Sequence, residues 1–258
     1  MYFDTHAHYC DKRFNDSRET LLGSMPENGI SLILNAGSSM RSSKFSIQLA
    51  DKYPFIYASV GIHPHDAKSM TDETVPQLEK MLSHPKAMAV GEIGLDYHYD
   101  FSPRDVQRKR FREQMELARK IKKPVIIHER EALNDTLEII SEYSDLSGVV
   151  HCFSGSWETA KTILDKGWHL SFTGVITYKN ARRALEVIEK MPADRIMLET
   201  DCPYLAPEPM RGKLNSSLYL PHIAAKIAEV RGVATEEIAA LTMENGKRFF
   251  GIESLYLQ

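Results

Sequence analysis

Short apolar runs alternate with amphipathic stretches along the whole chain. Eight of the runs read as strands, and several are continuous rather than alternating, which is typical of parallel strands buried on both faces. A helical pattern or a helix-start signal separates most of these runs from the next, so the chain reads as consecutive β-α units. The predicted strands are Tyr2–Thr5, Ser31–Asn35, Ile56–Val60, Ala87–Gly91, Val125–His128, Gly148–His151, Leu170–Phe172 and Ile196–Glu199.

The longest predicted helix runs from Pro103 to Lys122. Val106, Phe111 and Met115 lie on one apolar stripe of this helix, and a Ser-Pro pair is a typical start. A Pro-rich loop is expected at Pro203–Ser217, after the eighth strand. The other predicted helices are Arg18–Asn28, a segment beginning near Phe45, a segment capped by Asp72 or Thr74 and running through Leu82, Ala132–Tyr143, Glu158–Lys166, Ala181–Lys190, Pro221–Arg231 and Thr235–Phe250.

Eight strands that each feed a helix, with no composition break between them, predict an α/β fold of the (β/α)8 TIM-barrel type. We expect a single domain over residues 1–252, with residues 253–258 as a C-terminal tail. The alternative is an open, doubly wound sheet. That fold is disfavoured because no Gly-x-Gly-x-x-Gly follows the first strand, where a pair of histidines stands instead.

Composition narrows the classes of protein that the chain resembles. Of its 258 residues, 43% are hydrophobic and 26% are charged, with no apolar run of membrane-spanning length and no secretory leader. Three cysteines do not make a disulfide framework and fit a reducing compartment, so we expect a cytoplasmic protein. We expect no membrane partner and no obligate protein partner. A net charge of −3 means that affinity for a polyanion must come from local patches or bound cations.

Ligand-type side chains recur at the ends of the predicted strands. A single histidine there is usually satisfied by a carbonyl or water, and a single carboxylate is often a helix cap. Barrel closure, however, brings all strand ends to one mouth, where four histidines and two carboxylates are costly to bury without a cation. The predicted metal ligands are His6, His8, Glu92, His128, His151 and Asp201.

Six ligands exceed the three protein ligands of a catalytic zinc with an open position, so two divalent cations are expected. Glu92 is the predicted bridge between them, and Asp201 is predicted to orient the attacking water and accept its proton. Both carboxylates are therefore candidate catalytic residues. The metal stays open, because imidazole suits zinc, iron or nickel whereas carboxylate suits magnesium or manganese.

Candidate substrate contacts lie near the same strand ends. His63 and His65 follow the third strand and either bind substrate or shape their loop. The predicted phosphate contacts are Arg130, Arg211 and Lys213, with Arg104 and Arg108 of the long helix as further candidates. Three aromatic residues are either base-stacking or packing residues: Tyr97, Tyr99 and Phe153.

These residues belong to motifs that resemble the TatD family of metal-dependent deoxyribonucleases, within the amidohydrolase-type barrels. The motifs are Asp-x-His-x-His, Gly-Ile-His-Pro-His, Gly-Glu-Ile-Gly-Leu-Asp-Tyr, Pro-Val-Ile-Ile-His-x-Arg, His-Cys-Phe-Ser-Gly, Glu-Thr-Asp-x-Pro-Tyr-Leu and Arg-Gly-Lys-x-Asn, in order between Phe3 and about Phe250. One departure follows Asn215, where the family pattern usually continues to a proline, so the rigidity of this loop is in question.

The resemblance implies a metallo-hydrolase acting on phosphodiesters, often as a 3′-5′ exonuclease on single strands. Single-stranded DNA is then the expected partner. The resemblance also implies one cation near His6, His8 and Asp201 and the other near His128 and His151. Two alternatives remain: an ester or amide hydrolase, such as an aminoacyl-RNA deacylase, and a metal-binding or nucleic-acid-binding barrel without turnover.

Overall fold

The computed structural model describes residues 1–252 and contains eight strands in that part of the chain. The predicted tail, residues 253–258, lies outside the described residues. All eight predicted strands are confirmed, although the first, fourth and fifth end later than expected. The strands are β1 (Tyr2–Ala7), β2 (Ile30–Asn35), β3 (Ile56–Val60), β4 (Ala87–Asp96), β5 (Val125–Arg130), β6 (Gly148–Val150), β7 (His169–Phe172) and β8 (Ile196–Leu198).

Nine α-helices accompany these strands within residues 1–252. None of these helices combines the length and the apolar character that a membrane span requires. The first predicted helix was too long: it ends at Gly23 because Pro26 has no amide N–H to donate, and Pro26–Asn28 forms a separate 3-10 turn. The helices are α1 (Arg18–Gly23), α2 (Met40–Lys52), α3 (Thr74–Leu82), α4 (Arg104–Ile121), α5 (Leu133–Ser141), α6 (Trp157–Leu164), α7 (Arg182–Lys190), α8 (Leu220–Arg231) and α9 (Thr235–Phe250).

The chain divides into two compact units. The first unit contains residues 1–35 and the chain from Cys152 onward. In it, β1 pairs with β2 and β7 with β8, all parallel, and an isolated parallel bridge joins Ala7 to Cys202 beyond the end of β8. Helix α9 packs closely on β1, since a Cβ on Gly246 would lie 2.6 Å from the Phe3 ring.

The second unit contains residues 36–151, and its strands β3, β4, β5 and β6 pair in parallel and in that order. Within each unit, the paired strands are neighbours in sequence order. Eight parallel strands in this order, alternating with helices, confirm the predicted (β/α)8 fold class.

Irregular pairing interrupts β1 and β4 at the positions that carry ligand-type residues. Val90 pairs with Val125 and Ile93 with Ile127, so Gly91 and Glu92 lie in a bulge of β4. The prediction that this strand ends at Gly91 was wrong, because the bulge interrupts the ladder without ending it. An equivalent shift follows Asp4 in β1.

Gly94 allows β4 to approach β5 beside His128. Its φ is +138°, and a Cβ at this position would clash with the carbonyl oxygen of His128. A side chain would therefore both adopt an unfavourable backbone conformation and push β5 away.

We expect Gly94→Ala to lower the free energy of unfolding by roughly 3 kcal/mol, because backbone strain and a contact inside van der Waals distance act together. Urea unfolding followed by circular dichroism measures the change. Gly23→Ala is the matched control, since outside its own helical turn no atom lies within 4 Å of the place that its methyl group would occupy. Equal unfolding midpoints for the two variants would contradict this account of Gly94.

Candidate metal centre

The first unit brings three predicted ligands together. The Nε2 atoms of His6 and His8 lie 3.0 Å apart, and Oδ1 of Asp201 lies 3.2 Å from Nε2 of His8 and 3.9 Å from Nε2 of His6. The two histidines reach the same place because residues i and i+2 of an extended segment point to one side. The Asp201 amide N–H donates to the His6 carbonyl at 2.9 Å, which holds the chain after β8 against β1.

A buried carboxylate that sequence reasoning had left without a role supports this group. Asp4 Oδ1 accepts the amide N–H of His6 at 3.3 Å and of Thr200 at 3.0 Å, and Oδ2 accepts the hydroxyls of Thr200 and Ser217, each at 2.6 Å. Burial raises the pKa of Asp4 to about 7 against the lowering effect of these hydrogen bonds. Asp4 thereby joins the His-x-His segment to the residue that precedes Asp201.

The loop after Asp201 is anchored despite its departure from the family motif. Asn215 is fully buried, and its Nδ2 donates to the carbonyls of Thr200 at 2.9 Å and Tyr204 at 2.5 Å. The side-chain amide of Asn215 thus ties two parts of the loop together without the proline. Arg211 and Lys213, on the exposed part of the same loop, keep their side chains at the surface.

The second unit brings together four predicted site residues around one carboxylate oxygen. Oε1 of Glu92 lies 2.9 Å from Nδ1 of His128, 2.9 Å from Nε2 of His151 and 3.4 Å from Nε2 of His63. His128 Nδ1 and His151 Nε2 are 3.3 Å apart. Glu92, His63 and His128 also form one of the groups of residues in the described chain whose ligand atoms converge closely enough to hold a metal ion.

The charge states of Glu92 and His63 suit metal coordination. Burial acts to raise the pKa of Glu92, but His151 and His63 outweigh it, so the pKa of Glu92 lies well below its usual value. Burial also lowers the pKa of His63 to about 4. At neutral pH the carboxylate is therefore ionised and His63 is neutral, the forms in which both side chains bind metal.

Asp96 is a site residue that the sequence reasoning missed. Its Oδ2 lies 3.1 Å from Nε2 of His128 and 2.8 Å from Nε2 of His65, so it orients two imidazoles at once. Burial opposes ionisation, but the hydrogen bonds from His128 and His65 outweigh it and lower the pKa of Asp96. The sequence feature that could have identified Asp96 is its spacing from Glu92, because residues i and i+4 of one strand point to the same side. This spacing is informative only when β4 is known to reach Asp96.

Glu199 was also missed. It is fully buried at the end of β8, where Oε1 accepts the amide N–H of Cys152 at 2.6 Å and Oε2 accepts the hydroxyl of Ser171 at 2.7 Å. The sequence feature that could have identified Glu199 is its position two residues before Asp201. A buried carboxylate held by two donors on neighbouring segments is a positioned group and not a helix cap.

The basic side chains that are predicted to contact the substrate already lie against neighbours of different kinds. Arg130 stacks on the Tyr99 ring with its guanidinium carbon 4.8 Å from the centroid, and Arg211 lies 4.5 Å over Tyr178 and 3.8 Å from Glu208. Lys213 Nζ lies 3.7 Å from the sulfur of Met210.

The arginines of α4, by contrast, are bound to acidic neighbours. Arg104 pairs with Asp100 at 2.9 Å and Arg108 with Asp135 at 3.0 Å. A phosphate would have to displace these carboxylates, so Arg104 and Arg108 are poorer phosphate candidates than Arg130.

The donor atoms of each group fit a divalent cation. His6, His8 and Asp201 place two imidazole nitrogens and one carboxylate oxygen within 3.9 Å of one another, and Glu92, His128 and His151 do so within 3.3 Å. Three converging ligands of this type are the protein contribution to a catalytic zinc site, and the mixed donors also accept manganese.

Comparison with known proteins decides the family. A sequence model of the family described as TatD related DNase matches residues 3–251. The chain belongs to this family. The resemblance seen in the motifs is thus confirmed over nearly the whole chain.

TatD-family relatives and structures resemble the chain over almost all of their length. The metal-dependent hydrolase YabD of Bacillus subtilis is 40% identical over 254 residues, which cover 98% of this chain and 100% of YabD. The 3′-5′ ssDNA/RNA exonuclease TatD of Cronobacter sakazakii is 32% identical, over 96% of this chain and 97% of that protein. The crystal structure of YjjV, a TatD homologue from Escherichia coli, has a TM-score of 0.91 at 29% identity and covers 98% of both chains.

Membership of the TatD family makes the protein a metal-dependent hydrolase. The predicted enzyme is therefore confirmed at this level, and a metal-binding barrel without turnover is disfavoured. The family also supports the TIM-barrel fold independently of the strand order.

We expect Asp96→Asn to weaken binding of zinc or manganese by about 10- to 100-fold, because His128 loses the carboxylate that fixes its orientation. Isothermal titration of the chelator-treated protein measures the affinity. Asp72→Asn, the same change at an exposed position of the second unit, serves as the control. An affinity equal to that of the parent protein would show that His128 needs no partner at Nε2.

Proposed function

We propose that this TatD-family protein hydrolyses phosphodiester bonds in single-stranded nucleic acid, most readily DNA, and releases nucleotides from the 3′ end. One observation carries the proposal: carboxylate oxygens and imidazole nitrogens converge at the carboxyl ends of strands in both units, where barrel enzymes carry out their chemistry. The exonuclease activity named for the Cronobacter relative supports the substrate class.

The ligands would hold two divalent cations, which are zinc, magnesium or manganese. His6, His8 and Asp201 would hold one cation, and His128 and His151 the other, with Glu92 as the shared ligand. The grouping follows the distances within each unit, where each set offers three ligands and leaves a position for water or substrate. Cations in such sites lower the pKa of a bound water and stabilise charge on the phosphoryl group.

Asp201 would orient the attacking water and accept its proton. Its carboxylate lies beside the His6 and His8 nitrogens and is partly exposed, so one oxygen can face a water while the other stays near the imidazoles. The backbone hydrogen bond from Asp201 to His6 and the Asp4 network behind it keep the carboxylate in place. A fixed base loses little entropy when it takes the proton.

Basic side chains near the strand ends would position the substrate backbone. Arg130 follows the ligand His128 by two residues, and Arg211 and Lys213 lie in the loop that follows Asp201. His63 and His65 lie against the second ligand group and would contact the scissile nucleotide. The net charge of −3 makes such local contacts necessary, because the protein as a whole does not attract a polyanion.

We also propose that the protein works in the cytoplasm. Within residues 1–252 the three cysteines, Cys10, Cys152 and Cys202, are not joined by disulfides, as expected for a reducing compartment. Nothing in the proposed chemistry requires a protein partner.

The reaction is tested by supplying manganese or zinc and comparing four substrates: single-stranded DNA, single-stranded RNA, duplex DNA and an aminoacyl ester. We expect single-stranded DNA to be degraded fastest, with mononucleotides released from the 3′ end and little product from a 3′-blocked strand. His128→Ala purified in parallel controls for contaminating nucleases, since it removes a ligand. Faster cleavage of the ester than of any phosphodiester would replace the nuclease with a carboxylic ester hydrolase.

Asp201→Asn should reduce the rate of hydrolysis by about 10²-fold or more even at saturating manganese, since the amide still offers an oxygen ligand but cannot accept a proton. Glu92→Gln should lose both metal affinity and activity, because a neutral amide is a poor bridge between cations. Activity titrated against manganese separates loss of the base from loss of metal affinity. Asp16→Asn, at an exposed position of the unit that contains Asp201, is the control. Full rescue of Asp201→Asn at high manganese would limit Asp201 to the role of a ligand.

A further inference from the structure

Two exposed aromatic rings lie side by side in the loop that follows β4. Tyr99 and Phe101 have 48% and 55% of their surface exposed, and their rings stack with centroids 5.3 Å apart and planes inclined by 22°. Large aromatic side chains are usually buried, so a stacked and exposed pair calls for a binding role.

Hydrogen bonds at both ends of this loop hold the rings in place. Asp96 Oδ1 accepts the amide N–H of His98 at 3.0 Å and of Tyr99 at 2.9 Å. The buried Ser102 hydroxyl donates to the His65 carbonyl at 2.9 Å. Between these anchors Asp100 takes a left-handed conformation, with φ of 53°, which turns the chain tightly between the two rings. The pair is therefore preorganised, and a ligand that binds it orders little further structure.

His65 connects the aromatic pair to the ligand group formed by Glu92, His128 and His151. Its ring meets Tyr99 and Phe101 edge-on, with centroid distances of 5.3 Å and 4.8 Å. Its Nε2 shares the Asp96 carboxylate with His128. One imidazole ring therefore separates the aromatic pair from a predicted metal ligand, so a molecule bound at the ligand group can extend onto the two rings.

A cation beside the pair has no acidic partner. Among residues 1–252, Arg130 forms no ion pair with a carboxylate, and its guanidinium lies over Tyr99. Arg104 and Arg108, by contrast, are neutralised by Asp100 and Asp135. An uncompensated guanidinium next to exposed rings matches a ligand that carries a flat apolar group and a negative charge together, as a nucleotide does.

We propose that Tyr99 and Phe101 form a stacking platform for a nucleobase of the substrate strand, with Arg130 positioned to bind a neighbouring phosphate. The platform takes an unpaired strand, because the bases of a duplex already stack on their own neighbours and present only their edges. It reads no particular base, since every base offers a flat face. This inference deepens the proposed nuclease function and rests on it for the identity of the substrate.

The test compares oligothymidylate with an abasic oligonucleotide of the same length and charge, using the full-length protein. Stacking on the platform should give the base-containing strand a KM about tenfold lower than that of the abasic strand, with kcat little changed. Fluorescence anisotropy with the same two strands, in metal-containing and in EDTA-containing buffer, gives a second readout that does not need turnover.

Two double variants separate ring stacking from apolar bulk. Tyr99→Leu with Phe101→Leu removes the rings, and we expect the preference for bases to fall to about onefold in KM and in binding affinity. Tyr99→Phe with Phe101→Tyr keeps both rings, and we expect it to retain the preference. Circular dichroism melting of both double variants checks that the loop substitutions leave the fold intact.

Arg130→Gln should weaken the binding of both strands equally, because a phosphate contact does not distinguish oligothymidylate from the abasic strand. The same variant should reduce the salt dependence of binding, since one phosphate contact is lost. A parent protein that hydrolyses both strands with equal KM would overturn the platform while leaving the nuclease in place. If the parent hydrolyses neither strand, the nuclease proposal fails, and the anisotropy preference alone decides the platform. A preference that survives in the Leu double variant would assign base recognition to other residues.

Discussion

Buried carboxylates set the strongest physical requirement in this molecule. Asp4, Glu92, Asp96 and Glu199 have 0–3% of their surface exposed, and an ionised carboxylate loses several kcal/mol of solvation on burial. Each is compensated by donors from segments far away in the sequence: hydroxyls and amides for Asp4 and Glu199, and imidazoles for Glu92 and Asp96. His65, His128 and His151 lie where they offset the burial of Glu92 and Asp96.

The balance of charge differs between these carboxylates, and so do their roles. At Asp4 burial outweighs four hydrogen bonds and the pKa rises to about 7, whereas at Glu92 the neighbouring imidazoles outweigh burial and keep the group ionised. Hydroxyl and amide donors thus suit a structural anchor behind the His-x-His segment. Imidazoles suit a carboxylate that, as proposed, would bind a cation together with them.

Asp96 links the chemistry to the recognition of substrate. One of its oxygens binds His128 and His65, and the other accepts two amides from the loop that carries Tyr99. A single buried group therefore fixes both a predicted ligand and the proposed stacking platform. Rigid placement of this kind reduces the ordering that substrate binding would otherwise require.

The sequence by itself determined the fold class, the eight strands and the family, because apolar periodicity and motif spacing are local properties. It also supplied His6, His8, Glu92, His128, His151 and Asp201, which the structure brings together in two sets. Only the tertiary structure decided that β4 continues past its bulge to Asp96 and that Asp4 and Glu199 are positioned groups. It also decided that Arg104 and Arg108 pair with carboxylates, whereas Arg130 has no carboxylate partner among residues 1–252. Those facts depend on strand register and on contacts between distant segments, which no local pattern of residues encodes.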